Sequence, residues 1–140
     1  MRQAAYTVID HTADLGLSIT APTLESLFET AATGLFDQIT DLRSVLPREE
    51  RRVAVSAPGL EEMLVRWLAE LLFLHDVEGL LLCRFAVAGI GQGTMEAAVR
   101  GEVYDPRRHP VKTEVKAITY HRAAVERLED GWRGLVVIDV

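Results

Sequence analysis

The sequence predicts an α+β fold, in which a mixed β-sheet carries two long amphipathic helices packed on one face. Two segments place apolar residues at helical spacing, and most other apolar segments alternate as strands do. From residue 80 onward the strand-like segments follow one another without a helix, which argues against a doubly wound nucleotide-binding fold. The chain has 140 residues, of which 49% are hydrophobic, so residues 1–140 suit a single domain with its own core.

The first half of the chain contains the first predicted helix. Strands are predicted over residues 5–10 and 15–20, separated by a short polar connection. Thr23 is a suitable helix N-cap, and the apolar positions of the helix that follows are Leu24, Leu27, Phe28, Ala31, Leu35 and Ile39. Residues 51–57 alternate as a third strand before a Pro-Gly break.

The second helix has the strongest periodicity in the chain. It begins near Leu60 and ends at Gly79, a residue that favours helix termination, and its apolar stripe consists of Leu60, Met63, Leu64, Trp67, Leu68, Leu71 and Leu72. Strands are then predicted over residues 80–90, 95–104, 114–121, 123–128 and 135–140. The tripeptide 129–131 has hairpin-turn chemistry.

Composition excludes several classes of function. The net charge of -6 makes the chain a poor nonspecific nucleic-acid binder, so a role in RNA metabolism would involve a protein or a metal. No apolar run is long enough to cross a membrane. The single cysteine, Cys83, cannot form an internal disulfide, and the N-terminus lacks a signal peptide, so we expect a cytoplasmic protein. The glycine-rich segment 89–93 is followed by neither Lys-Ser/Thr nor a helix, so it predicts a turn.

The connection between the first two strands concentrates polar chemistry. Asp10, His11 and Asp14 lie within five residues. Carboxylates in a connection can bind a hard cation through oxygen. The alternative is turn chemistry, in which the Asp side chains bond their own backbone, and the spacing alone favours the turn.

The last strand brings a second acidic group. The apolar run 135–138 predicts a strand buried on both faces, which carries Asp139 and the carboxylate of Val140 to one edge of the fold. Together with Asp14 they would form an oxygen cluster that suits calcium, magnesium or manganese better than zinc. Sequence spacing leaves open whether these segments meet.

The densest positive region contains Arg107–His109, Lys112 and Lys116 in a chain with only two lysines. It suits a phosphate or an acidic partner, and a solvated loop is the alternative. Lys116 lies in a strand-like segment between apolar residues, where a lysine either snorkels or meets a carboxylate. His121, at the end of that segment, suits packing and function equally.

The motifs taken together resemble the archease family. The resemblance runs from about Thr7 to Val140, and it rests on the N-terminal signature 10–16, the central helix 60–72, and the segments 101–105, 115–121 and 138–140, together with His109. Several separate motifs agree in order and spacing, so the match is specific.

The resemblance implies a non-catalytic accessory protein. Archeases activate the GTP-dependent RNA ligase that joins 3'-phosphate or 2',3'-cyclic phosphate ends to 5'-hydroxyl ends in tRNA splicing and RNA repair. They promote guanylylation of the ligase histidine and multiple turnover. The partner is therefore a protein, and RNA is contacted only indirectly.

The same resemblance assigns a metal site. It implies a divalent cation, calcium in some members, held by Asp14, Asp139 and Val140. Asp10, where some members have Glu, is expected with His11, Lys116 and His121 to supply further ligands or contacts with the partner. Two other functions remain open: a stand-alone metal-dependent phosphoesterase, which needs a general base near a substrate cleft, and a chaperone-like or nucleic-acid-binding module.

Overall fold

The computed structural model describes residues 3–10 and 14–140, apart from the side chain of Asp10. Seven strands and two long helices follow one another in the order β1 (Ala5–Asp10), β2 (Asp14–Ala21), α1 (Leu24–Ile39), β3 (Glu49–Ser56), α2 (Leu60–Glu78), β4 (Leu80–Gly91), β5 (Thr94–Val103), β6 (Ala117–Leu128) and β7 (Gly131–Asp139). A short 3-10 helix spans Leu42–Ser44. No helix within the described ranges is both long enough and apolar enough to span a membrane.

The strands form two antiparallel sheets. One has the order β1-β2-β7-β6 and the other the order β3-β5-β4. The predicted α+β class with two long helices is confirmed. Instead of one mixed sheet there are two, and short hairpins after β4 and β6 make the consecutive strands antiparallel. Each helix contacts strands of both sheets, not one face of a single sheet. The core lies where the helices meet the inner faces of the sheets.

Caps and one interhelical bond fix the two helices. The predicted N-cap Thr23 accepts a hydrogen bond from the Ser26 amide at 3.0 Å, and Ser26 Oγ accepts one in return from the Thr23 amide at 3.1 Å. Helix α2 ends at Gly79 with a φ of 71°, which glycine adopts without steric cost. The fully buried Trp67 of α2 donates to the Phe28 carbonyl of α1 at 2.9 Å, so the interface is fixed by a hydrogen bond as well as by packing.

Strand β6 replaces two predicted strands. It pairs with β7 on both sides of a bulge, because Thr119 lies opposite Val137 and Ala124 lies opposite Leu135. Four residues of β6, 120–123, therefore lie opposite the single residue Val136 of β7. Arg122 has a φ of 61° within this bulge. The interruption expected near Arg122 is present, but pairing with β7 on both sides makes it a bulge within one strand. The strand also begins at Ala117, not at residue 114.

Candidate metal centre

Four strand ends meet at one edge of the four-stranded sheet. Asp10 ends β1, Asp14 begins β2, Ala117 begins β6 and Asp139 ends β7. Strand β7 lies between β2 and β6, so Asp139 is opposite Asp14 on one side and opposite Ala117 on the other. The fold thus brings together residues that are 125 positions apart in the sequence.

Asp14 and Asp139 form a cross-strand pair on the outer face of this sheet. Leu17, three residues after Asp14, and Ile138, directly before Asp139, are fully buried on the inner face, and alternation therefore directs the two carboxylates outward. Residues directly opposite in an antiparallel pair have Cβ atoms about 4.5–5.5 Å apart, and like charges at that position are destabilising. A cation bound between them would relieve the repulsion, and carboxylate oxygens suit a hard cation.

The main chain next to the pair is anchored. The Lys116 amide donates to the Asp139 carbonyl at 2.8 Å. Val140, directly after Asp139, packs against the hydrophobic core. The Lys116 side chain is exposed, and none of the described carboxylates lies within 4.0 Å of it. Lys116 precedes β6, which corrects the prediction that it lies inside a strand, and the bond to Asp139 extends the pairing by one residue.

Asp10, His11 and His121, the other predicted site residues, are not shown to contact the Asp14–Asp139 pair in the described structure. The main chain of Asp10 is opposite Leu15, next to Asp14, while the Asp10 side chain and His11 lie outside the described residues. His121 is exposed in the bulge opposite Val136, where its amide donates to Thr119 Oγ1 at 2.8 Å. Since Val136 precedes Asp139 by three residues, His121 is about 10 Å from the pair along the strands, and the structure does not join it to them.

The donor set favours an oxygen-binding cation. In the described ranges, 3–10 and 14–140, no group of three His, Cys, Asp or Glu side chains has a metal-binding arrangement. The residues present are two carboxylates with main-chain oxygens such as that of Val140. This set fits calcium, magnesium or manganese, and its described members include none of the nitrogen and sulfur ligands that zinc prefers.

A second polar cluster is centred on Glu102, which lies in the resemblance segment 101–105 but was given no role by the sequence. Glu102 is only 4% exposed, and it accepts hydrogen bonds from both terminal nitrogens of Arg108 at 2.8 Å and from the Leu46 amide at 2.7 Å. His109 Nδ1 accepts from the Asp105 amide at 2.9 Å, so Nε2 carries the proton and donates to Glu102 at 3.0 Å. These bonds fix the loop between β5 and β6.

The Glu102 cluster also changes the interpretation of the positive region. The hydrogen bonds from Arg108, helped by the Leu46 amide and His109, lower the pKa of Glu102 to about 2 despite its burial. Lys112 donates to the Asp37 carbonyl at 2.6 Å. The Arg108 and Lys112 side chains therefore bind groups of this chain, and the loop does not present them as a free phosphate site. The sequence contains one signal for this cluster, because an outward acidic residue of a strand is followed within seven residues by Arg-His.

Comparisons with known proteins find one family over almost the whole chain. The model of the archease protein family matches residues 6–140. The protein archease of Thermococcus gammatolerans is 45% identical over 135 residues, which is 94% of this chain and 95% of the relative. That of Methanopyrus kandleri is 42% identical over 135 residues, covering 94% and 96% of the two chains.

Two solved structures have the same fold. The solution structure of Methanobacterium thermoautotrophicum protein 1598 matches with a TM-score of 0.83 and 30% identity, over 96% of this chain and 98% of that one. The crystal structure of a Thermotoga maritima archease, described as a possible chaperone, matches with a TM-score of 0.62 and 23% identity, over 100% and 98%. With a family match over almost its whole length and relatives above 40% identity, this chain belongs to the archease family.

Proposed function

We propose that this protein is a cytoplasmic, non-catalytic activator of the GTP-dependent RNA ligase that joins 3'-phosphate or 2',3'-cyclic phosphate ends to 5'-hydroxyl ends. It promotes guanylylation of the ligase histidine and multiple turnover in tRNA splicing and RNA repair. The observation that supports this most directly is the register that sets Asp14 opposite Asp139 in a member of the archease family. The ligase is the direct partner, and the protein contributes a metal-binding edge to it.

The chain's own residues would prepare that edge. Asp14 and Asp139 hold two carboxylates side by side, and Val140 supplies a main-chain oxygen next to them. The Lys116 amide and the packed Val140 side chain keep the end of β7 in place. A divalent cation, calcium in the first instance, would supply positive charge there for phosphate oxygens in the ligase active site. Asp10 and His11 are the proposed further ligands or partner contacts. Lys116 and His121 are proposed as partner contacts, because an ammonium group does not bind a cation and His121 lies away from the carboxylate pair.

Metal binding can be tested without the ligase. We expect calcium to raise the melting temperature of the wild-type protein, because a ligand at 100 times its Kd stabilises the native state by about 2.7 kcal/mol. Asp14→Asn and Asp139→Asn should each remove this shift. Without metal they should be as stable as wild type or slightly more so, since a like-charge pair is lost. Glu126→Gln, elsewhere on β6, should keep the shift. An unchanged shift in the double Asp→Asn variant would refute the metal site.

Activation is tested in a multiple-turnover RNA ligation assay with and without this protein. We expect many turnovers per ligase with the protein and about one without it. Asp139→Ala should lose stimulation of ligase guanylylation. Full stimulation by that variant would contradict the proposed role of the carboxylate pair. Metal-dependent hydrolysis of RNA by this protein alone, lost in Asp14→Ala, would support the phosphoesterase instead.

Chaperone-like binding of a protein is a second candidate, favoured by exposed apolar side chains near the end of α2. Phe73 and Val77 lie one turn apart and are 55% and 64% exposed. Val103 of β5 lies beside Gly79, where α2 ends. The Thermotoga maritima relative is described as a possible chaperone. Phe73→Ser with Val77→Ser should then abolish suppression of client aggregation, whereas the ligase activator keeps its function in this variant.

A further inference from the structure

The outer face of the three-stranded sheet concentrates positive charge. We call it the arginine face and define it by the outward residues of β3, β4 and β5 together with the two arginines that bind Glu102 at one end. Its charged residues are Arg48, Arg52, Arg84, Arg100 and Arg108 against Glu50, Glu96 and Glu102. Five arginines and three glutamates give this face two excess positive charges, in a chain whose net charge is -6.

One cross-strand row places two of these arginines side by side with one glutamate. Glu50 lies opposite Arg100, which in turn lies opposite Arg84. Glu50 pairs with Arg100 at 2.8 Å and with Arg52 at 3.6 Å, so a single carboxylate serves two guanidinium groups. Within the described residues, no carboxylate lies within 4.0 Å of Arg84. Two arginines directly opposite repel each other, and an anion bound across them would therefore be stabilised.

The surface next to this row is shallow and made of small side chains. Ala98 lies opposite Ala86 on one side and Arg52 on the other, and Ala54 is two residues further along β3. Together with Glu96 they line a depression of about 340 Å³. None of the large exposed apolar side chains of the described chain lies among these outward positions. A protein-binding surface usually presents aromatic or large apolar anchors, whereas guanidinium groups over a small-residue floor suit phosphate groups.

We propose that the arginine face binds the phosphate backbone of single-stranded RNA. Arg84 and Arg100 lie opposite each other on neighbouring strands, which are about 4.8 Å apart, so their long side chains can reach successive phosphates of an extended single strand. Phosphate contacts carry no information about the bases, so binding through these arginines is independent of base sequence. The choice of RNA rests on the proposed function, but recognition of phosphate does not. The ligase activator then touches RNA through a sheet other than the one that carries Asp14 and Asp139.

The test measures fluorescence anisotropy of a mixed-sequence single-stranded RNA with the full chain and no ligase, from about 20 to about 200 mM salt. About three phosphate contacts predict a slope of log K against log salt of about -2, at 0.7 per contact. Arg84→Gln and Arg100→Gln should each weaken binding about fivefold and reduce the slope by about 0.7. Glu96→Gln should strengthen binding, because it removes an opposing charge from the same face.

Arg133→Gln is the matched control. It removes the same charge from an exposed position on the outer face of the four-stranded sheet, and it should leave RNA binding unchanged. All four positions are exposed, so the variants should fold. Salt-independent binding, an equal loss in the control, or displacement of RNA by polyglutamate of the same charge as effectively as by unlabelled RNA would overturn the proposal. Since the ligase is absent, failure here is distinct from failure to activate it.

Discussion

The substitution Glu102→Gln tests the buried cluster most directly. It keeps the shape of the side chain and removes its charge, so Arg108 loses the carboxylate that accepts from both of its terminal nitrogens at 2.8 Å. The amide can still accept from one donor, but its own NH₂ group then faces Arg108, His109 or the Leu46 amide, all of which are donors in the native structure. The loop between β5 and β6 should therefore loosen.

The expected loss of stability follows from the burial of the two partners. Breaking a fully buried ion pair costs about 3–5 kcal/mol. The Glu102 side chain is 5% exposed, but the Arg108 side chain is 38% exposed and can be solvated after the substitution. We therefore expect the free energy of unfolding to fall by about 2 kcal/mol. For a chain of this size that lowers the urea midpoint by about 1 M with an unchanged slope.

The pH dependence gives a second readout. The folded pKa of Glu102 is about 2 against an ordinary value of 4.5. The unfolded state therefore binds the proton more tightly, and this contribution to stability is present above about pH 4.5 and is lost as the pH falls toward 2. The difference between wild type and Glu102→Gln should be constant near neutrality and should shrink in acid. A difference below about 0.5 kcal/mol at neutral pH, or one that grows on acidification, would refute this account.

Three further predictions concern the framework, each checked by urea denaturation. Trp67→Phe should cost about 2 kcal/mol, because it removes the bond to the Phe28 carbonyl and leaves a small cavity. Gly131→Ala should cost at least about 2 kcal/mol, because φ is 154° there and a Cβ would lie 2.4 Å from the Ala21 carbonyl oxygen. Thr23→Ala should cost about 1 kcal/mol because the helix loses its N-cap hydrogen bond. If the urea midpoint of any of the three variants equals that of the wild type, the contact described for that residue does not stabilise the fold.

Periodicity was sufficient to predict the helices, since both bury a wide apolar stripe and end at residues with clear local chemistry. Thr23 caps α1, and Gly79 ends α2 in the left-handed conformation that its position predicts. The division of the strands into two sheets could not be predicted. Alternation shows which side of a strand is buried, but not which distant strand lies beside it.

The candidate site illustrates the same limit. Residue types and spacing identified Asp14 and Asp139 as separate acidic groups, and only pairing between β2 and β7 places them opposite each other. The burial of Glu102 could not be predicted, because a charged residue in a strand normally faces solvent. Its burial depends on the loop that folds back over it, and local sequence does not encode that contact. The metal itself stays a prediction.

The position of β7 has a consequence for how the protein is made. This strand occupies the middle of the four-stranded sheet, but it is built from residues 131–139, which leave the ribosome long after β1 and β2. Before these residues are synthesised, neither β2 nor β6 can pair with the strand that lies between them in the complete sheet. Closing so long a loop is slow and follows the formation of local structure. A nascent or truncated chain without this strand therefore lacks the Asp14–Asp139 pair altogether, so the candidate metal centre forms only in molecules whose sheet has been completed.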